Sequence, residues 1–321
     1  HHQRKMPTEL PGKDRIRIVS DHLKPYIHRT PVMTSGVMND ITGSELYFKC
    51  ENFQKTGSFK IRGAMNAVLQ LTVSQKAMGV ITHSSGNFAQ ALAYAAKCAG
   101  IKATIVMPES VVPAKRDAVL GYGAEIVYSG SQPYEREIKC EEIQGNSGAV
   151  FIHPSNDINV ITGHTSCAVE FIEDAESLDA VIAPLGGGGL LSGIALGFRN
   201  FAMPTLIYAG EPLNASDGYE SKKAGRIVPV KDPNTIADGL RTSLGDVTFP
   251  IIDRFVKEII TVSEDEIINA MKLIWERMKI VIEPSSAVAF AALLKNIHEF
   301  KNKKIGIIVS GGNVDLARLP F

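Results

Sequence analysis

The stretch AVIAPLGGGGLLSGIALGF, residues 180–198, decides the fold. Its first residues, Ala180 to Leu185, form a short apolar run of strand type. Four glycines follow, and Leu190–Phe198 then shows helical apolar spacing. The same alternation recurs along the chain. ELYFKC (45–50), GVITHSS (79–85), KATIVMP (102–108), AEIVYS (124–129), GAVFIHP (148–154), TLIYAGE (205–211), EIITV (258–262) and KIGIIVS (304–310) also read as strands. Between them, Phe88–Ala99, Pro113–Leu120, Glu264–Met278 and Ser285–Leu294 have helical spacing. Strands alternating with helices predict an α/β protein with a mostly parallel sheet covered on both faces. Ligands of such folds bind outside the carboxyl ends of the strands.

Composition narrows the function classes. Of 321 residues, 45% are hydrophobic and 21% charged, which supplies a sizeable core. Lys+Arg and Asp+Glu both number 34, so no net basic field is available for a nucleic-acid backbone. The cysteines Cys50, Cys98, Cys140 and Cys167 are far apart, with no CxxC pair. This predicts reduced thiols, with neither a disulfide framework nor structural zinc. HHQRKMPTEL at the start has no apolar core of signal-peptide type, and no run of about 18 apolar residues occurs. The expectation is a cytoplasmic protein without a membrane span.

Four strand ends carry polar or glycine-rich residues: Gly86-Asn87, Gly186–Gly189, Glu211 and Ser310-Gly311-Gly312-Asn313. The four consecutive glycines expose backbone N–H groups, and the helix that follows adds a positive dipole end. Together they make a cradle for a phosphate. A P-loop is excluded, because no Gly-Lys-Ser/Thr follows. A dinucleotide fingerprint is only loosely matched, although Glu211, 22 residues beyond Gly189, imitates its acidic residue.

KTGSFKIRGA (55–64) then takes on a second meaning. Taken alone, a lysine at the start of a mixed-charge helix is a solvated residue. Lys60, however, lies between Phe59 and Ile61. Burial would lower its pKa and leave a nucleophilic amine. A phosphate cradle, an Asn turn, a terminal Ser310 and a reactive lysine together suit a phosphorylated aldehyde, pyridoxal phosphate.

Over essentially its whole length the chain resembles the fold-type II pyridoxal-phosphate enzymes. The resemblance implies a tryptophan synthase β-like fold, and the branch it resembles most is that of serine racemases and serine/threonine dehydratases. The resemblance is carried in order by RTPVMTS, CENFQKTGSFKIRGA, THSSGN, PLGGGGLLSGIA, EPLNASDGYESKKAG, TIADGL, WERMKIVIEPSSAV and IIVSGGNVD. NASDGYESK, WERMK and SGGNVDL match the racemase-like branch most closely. The resemblance implies two domains, each with a mostly parallel sheet. Residues 1–69 and 157–321 would form the large cofactor-binding domain, and residues 70–156 a small mobile domain. It also implies a homodimer.

The implied site follows residue by residue. Lys60 would carry the cofactor as a Schiff base. Phe59 and Asn87 would flank its ring. Gly186, Gly187, Gly188, Gly189 and the Leu190 N–H would hold the phosphate, and Ser310 would face the pyridine nitrogen. Gly239 and Glu283 would lie near the ring. Lys60 would remove the Cα proton on one face of the substrate, and Ser85 would return one on the other. Ser84, Ser85, Asn87, Arg136 and the HPSND loop with Ser155 would hold the substrate. A divalent cation, Mg²⁺ or else Ca²⁺ or Mn²⁺, would bind Glu211, Asp217 and the Ala215 carbonyl. ATP would act as an activator at Lys55, Thr56, Gln90, Tyr122, Lys279 and Asn313.

The implied activity is interconversion of L- and D-serine with β-elimination to pyruvate and ammonia. A threonine/serine or 3-hydroxyaspartate dehydratase is the alternative within the enzymes. A catalytically weak pyridoxal-phosphate-binding regulatory protein is the alternative outside them. The chain departs from the family pattern in three places: Gly36 in the nucleotide set, Phe88 in place of histidine, and the stretch Gly163-His164-Thr165-Ser166 in place of Gly-Gln-Gly-Thr.

Overall fold

The computed structural model describes residues 9–84, 86–202 and 204–321. Ser85 and most of the N-terminal stretch read for a leader lie outside the described residues. The strands are β1 (Val32–Met33), β2 (Glu45–Cys50), β3 (Val80–His83), β4 (Ala103–Pro108), β5 (Glu125–Ser129), β6 (Val150–Phe151), β7 (Ala180–Pro184), β8 (Leu206–Pro212), β9 (Glu258–Val262) and β10 (Lys304–Val309). The helices begin with α1 (Lys13–Leu23), α2 (Gly36–Thr42), α3 (Lys60–Leu69), α4 (Val73–Met78), α5 (Asn87–Ala99), α6 (Pro113–Gly121) and α7 (Pro133–Ser147). They continue with α8 (Ile158–Asp174), α9 (Gly189–Phe201), α10 (Asp217–Ala224), α11 (Thr248–Phe255), α12 (Glu264–Met278), α13 (Pro284–Lys295) and α14 (Ile297–Phe300).

Two sheets organise two α/β domains. One has six strands in the order β1-β2-β10-β7-β8-β9, and the other has four in the order β5-β4-β3-β6. Every pairing is parallel except β1 with β2. In each sheet the carboxyl ends therefore share one edge. Gly186, Glu211 and Ser310 leave the large sheet on its edge, and Ser84 and His153 leave the small one.

Local chemistry explains where the elements stop. Ser263 and Glu266 form a reciprocal capping box at the start of α12. Asp157 caps α8 by accepting from the Asn159 and Val160 N–H groups. Helix α9 is buried on every side from Gly189 to Phe198, as a helix apolar all round must be. One face of the large sheet packs on α12 and α13 through Ile267, Met271, Ile274, Val288 and Phe290. The other packs on α8, α9 and α11 through Phe171, Leu191, Ile194 and Ile252. Helices α1, α3 and α5 share a further core with β3 and β4, including Val19, Met65, Leu92 and Ile105. Each such side chain contributes about 1.5–3 kcal/mol by leaving water.

Cys50, Cys140 and Cys167 are buried, Cys98 is exposed, and all four are free thiols. Among the described residues, no helix is long and apolar enough to cross a membrane.

Candidate active site

Lys60 opens α3 and is fixed from both sides of its sequence. Just before it, Ser58 bridges to Gly311, and the Phe59 N–H donates to the Ser310 carbonyl at 3.0 Å. Just after it, Arg62 is fully buried and donates twice to Glu170, at 2.7 and 2.9 Å, and also to Glu51 and Ser166. Lys49 completes the network on Glu170 at 2.8 Å. Two cations thus face two carboxylates, which is what a buried network needs to stay charged. The helix that carries Lys60 is tied to β2 and α8 by these charges.

The Lys60 amine donates to the Pro154 carbonyl at 3.2 Å, in the linker after β6. It lies 5.1 Å from the centre of the Phe59 ring and 5.8 Å from that of Phe88. Burial pushes its pKa down to about 8, against the pull of Glu283. The Glu283 carboxyl is itself pushed up to about 8, by burial first and by Asp238 second. An amine that ionises this close to neutrality can act as nucleophile and as base.

Around it the strand ends converge. Gly188 has φ of 96°, the left-handed region that glycine tolerates. A Cβ on Gly187 would fall 2.1 Å from the Ser155 Oγ, and one on Gly186 would fall 2.9 Å from the Gly239 carbonyl oxygen. Ser155, expected at the substrate, therefore stands against the glycine turn. The first N–H groups of α9, including that of Leu190, have no partner in the helix and are free for an anion. Gly239 is held there by donating to the Ser285 Oγ at 3.0 Å.

Ser310 is buried, and its Oγ lies 3.0 Å from that of Ser286. Ser286 is in turn fixed by the Gly311 backbone, donating at 2.6 Å and accepting at 2.7 Å. Asn87 donates to Glu283 at 2.8 Å, while its Oδ1 accepts from Asn313 at 2.8 Å. Ser84 Oγ accepts from the Gly86 and Ala89 N–H groups at the start of α5. Lys115 reaches across from α6 to Asp238 at 2.7 Å and so joins the two domains above this cleft. Ser85 lies outside the described residues.

The glycine turn, the N-terminus of α9, the half-buried Lys60 and the buried Ser310 fit a phosphorylated pyridine aldehyde. Backbone N–H groups and the helix end suit its phosphate, the amine its aldehyde, and the serine its ring nitrogen.

Arg136 lies on α7, with a buried Nε that has no hydrogen-bond partner among the described residues. Burial lowers its pKa, and its charge acts on His83.

Glu211 and Asp217 form a second polar centre. Glu211 is fully buried and accepts from the Gly218 N–H at 2.9 Å and the Tyr219 N–H at 2.8 Å. Gly218 permits that approach, since a Cβ there would fall 2.5 Å from the carboxylate. Both Asp217 oxygens are buried without a well-formed hydrogen bond among the described residues. Burial and the charge of Asp217 raise Glu211 well above the usual carboxylate range, and burial pushes Asp217 up to about 7. Paired buried carboxylates with unspent oxygens suit a hard cation. No group of three or more His, Cys, Asp or Glu that could hold a metal occurs among the described residues. A cation here would therefore also draw on carbonyls such as that of Ala215, and on water.

Of the expected nucleotide set, Lys55 and Tyr122 meet at Tyr94, and Thr56 meets Asn313. The Lys55 amine lies 5.5 Å from the Tyr94 ring, and Tyr122 packs on that ring edge-on at 5.4 Å. Asn313 donates to the Thr56 carbonyl at 2.8 Å, and Gln90 is buried one turn before Tyr94. Lys279 ends α12 with φ of 60°, and its amine donates to the Glu276 carbonyl.

Sequence reasoning did not single out Ser286, Asp238 or Lys115. SS in EPSSAV was legible as polar residues at a helix start, but their partners Gly239 and Ser310 lie far away in the chain.

The pyridoxal-phosphate-dependent enzyme family model matches residues 23–311. A β-hydroxyaspartate dehydratase of Paracoccus denitrificans is 47% identical, covering 97% of this chain and 99% of that relative. A serine racemase of Arabidopsis thaliana is also 47% identical, covering 95% and 93%. The crystal structure of a serine racemase from Dictyostelium discoideum superposes with a TM-score of 0.89 at 46% identity, covering 94% of this chain and 98% of that one. With its lysine, glycine turn and terminal serine placed as described, the chain belongs to the pyridoxal-phosphate-dependent enzymes of fold type II.

Proposed function

We propose that the protein is a serine racemase that also eliminates water from serine to give pyruvate and ammonia. The observation that carries this reading is Lys60: an amine set beside the glycine turn, between Phe59 and Phe88, with its pKa brought down to about 8. When bound, pyridoxal phosphate supplies an electron sink that acidifies the substrate Cα–H. Lys60 Nζ takes the Cα proton on one face. Ser85 returns a proton on the opposite face, a role that rests on its place in THSSGN. Ser310, held by Ser286, presents a hydroxyl rather than a carboxylate to the ring nitrogen. Asn87 and Glu283 hold the wall beside Lys60. Lys115 on Asp238 keeps the small domain, residues 70–156, closed over the large one and excludes water.

Glu211, Asp217 and Ala215 bind Mg²⁺ or a similar hard cation. ATP binds where Lys55, Thr56, Gln90, Tyr122, Lys279 and Asn313 lie, and the protein works as a cytoplasmic homodimer. The test is incubation with L-serine, with and without Mg²⁺ and ATP, followed by chiral amino-acid analysis and a pyruvate assay. D-serine and pyruvate are both expected. If neither forms while the cofactor is bound, a binding or regulatory protein is the better reading.

One observation favours a second reading, a 3-hydroxyaspartate dehydratase. Arg136 holds an unpaired guanidinium nitrogen beside His83, and a second substrate carboxylate would satisfy it. Faster turnover of 3-hydroxyaspartate than of serine would favour this reading.

A further inference from the structure

Phe88 is the second residue of α5, at the place where the family pattern has histidine. Its ring is 2% exposed and belongs to the core that α3 and α5 share, with Ile61, Ala64 and Leu92. Asn87, its neighbour, pins the start of the helix by donating to Glu283 and accepting from Asn313, both at 2.8 Å. Core packing and this anchor fix where the ring stands.

What the ring meets is the Lys60 amine. Nζ lies over the Phe88 ring, 5.8 Å from its centre, and over the Phe59 ring, 5.1 Å from that centre. An ammonium has three N–H donors. One reaches the Pro154 carbonyl at 3.2 Å, and among the described residues the amine has no other hydrogen-bond acceptor. Its charge is therefore met by two aromatic faces, which attract cations within about 6 Å and most strongly where water is excluded. Histidine at position 88 would bring ring nitrogens and, once protonated, a repelling charge. Phenylalanine brings neither.

The other groups that face the amine are few. Glu283, ahead of α13, favours the ammonium, while burial opposes it more strongly. Burial above all, with the amine's charge adding to it, keeps the rings of His153, after β6, and His164, on α8, neutral.

We infer that Phe88 is a positioning residue for the reaction: with Phe59 it holds the Lys60 amine against two ring faces and stabilises the ammonium that Lys60 becomes on taking the Cα proton. This role rests on the reading of Lys60 given above. In that step the Cα–H bond breaks, an N–H bond forms on Nζ, and the electron pair stays with the substrate, so no co-reactant is needed. A buried base has little water to solvate the charge it gains. The two ring faces take over that solvation at fixed distances.

Trifluorophenylalanine placed at position 88 keeps the ring's shape and drains its face of negative charge. In the full chain stripped of cofactor, trace acetic anhydride labels Lys60 only as the neutral amine, and mass spectrometry reads the rate. The midpoint of that rate in the wild type should lie at about pH 8. With the fluorinated ring it should fall by about half a pH unit, because the ammonium has lost a support. A ring that merely filled space would leave the midpoint in place. A midpoint that stays or rises overturns the role.

A second measurement uses the holoenzyme. The acid limb of the pH profile for L-serine turnover should shift to lower pH by about the same half unit. A limb that stays in place overturns the role as well. Failure of the broader reading looks different: a wild-type protein with no violet cofactor band and no turnover of L-serine, while the two labelling midpoints still separate.

Discussion

Arg62 and Glu170 meet in a two-point ion pair, 2.7 and 2.9 Å, that fastens the helix of the reactive Lys60 to α8. Arg62 is fully buried and also serves Glu51 and Ser166. Arg62→Ala would leave Glu51 without its arginine partner and Glu170 with Lys49 alone. Removing one partner from such a network costs about 3–5 kcal/mol. Denaturant unfolding should show a loss of that size; a loss below about 1 kcal/mol, the range of exposed pairs, would contradict the bracing role.

The free amine of Lys60 should announce its lowered pKa in cofactor uptake. Only the neutral amine attacks an aldehyde. Recombination of the cofactor-free protein with pyridoxal phosphate should therefore rise with pH and reach half its maximum near 8. An ordinary lysine would place that midpoint at about 10.4. Glu283 pulls the Lys60 pKa upward, so Glu283→Gln should move the midpoint to lower pH. A shift to higher pH would show that the two groups do not face each other.

Asp217 gives the cation proposal a pH signature. Its folded pKa, pushed up to about 7, lies above the unfolded value, so the folded chain holds the extra proton. Without a cation, that stabilising contribution is present below the unfolded value of about 3.9 and is lost as the pH rises through about 7. A bound cation needs the carboxylates ionised and reverses the trend. Mg²⁺ should therefore raise the Tm more at about pH 7.5 than at about 5.5, and chelation should remove the gain. Equal effects at both pH values would count against Glu211 and Asp217 as ligands.

His164 stands where the family pattern has glutamine. It is fully buried, both ring nitrogens lack a hydrogen-bond partner among the described residues, and its ring meets Phe59 edge-on at 4.9 Å. Burial first, then Lys60 and Arg62, hold its pKa well below the ordinary value. Two unspent polar atoms in the core are destabilising, so His164→Leu should stabilise the fold by about 1 kcal/mol. A clear drop in Tm would reveal a partner for the imidazole.

Strands such as β7 and β10 were legible because AVIAP and IGIIV are buried apolar runs bounded by glycine or polar residues. EIITV and the helix Glu264–Met278 coincide with β9 and α12. Helix α8 escaped for the opposite reason. Its residues from Val160 to Ala168 are buried on all sides and include Thr, Ser, Gly and His, so no apolar face repeats. The two-residue β1 is too short for any periodicity. In the site, Lys60 and the glycine turn were readable because each is a local pattern with a chemical consequence. Ser84 was read for substrate; in the structure its hydroxyl accepts from the Gly86 and Ala89 N–H groups at the start of α5. The pairs Ser286–Ser310, Lys115–Asp238 and Asn87–Glu283 join residues distant in the chain, and single-sequence spacing carries no sign of them.

The central claim is that Lys60 carries the cofactor. Protein purified with pyridoxal phosphate should absorb in the violet, and Lys60→Ala should lose that band while keeping a cooperative thermal transition. A band that persists in the folded Lys60→Ala protein would contradict the account.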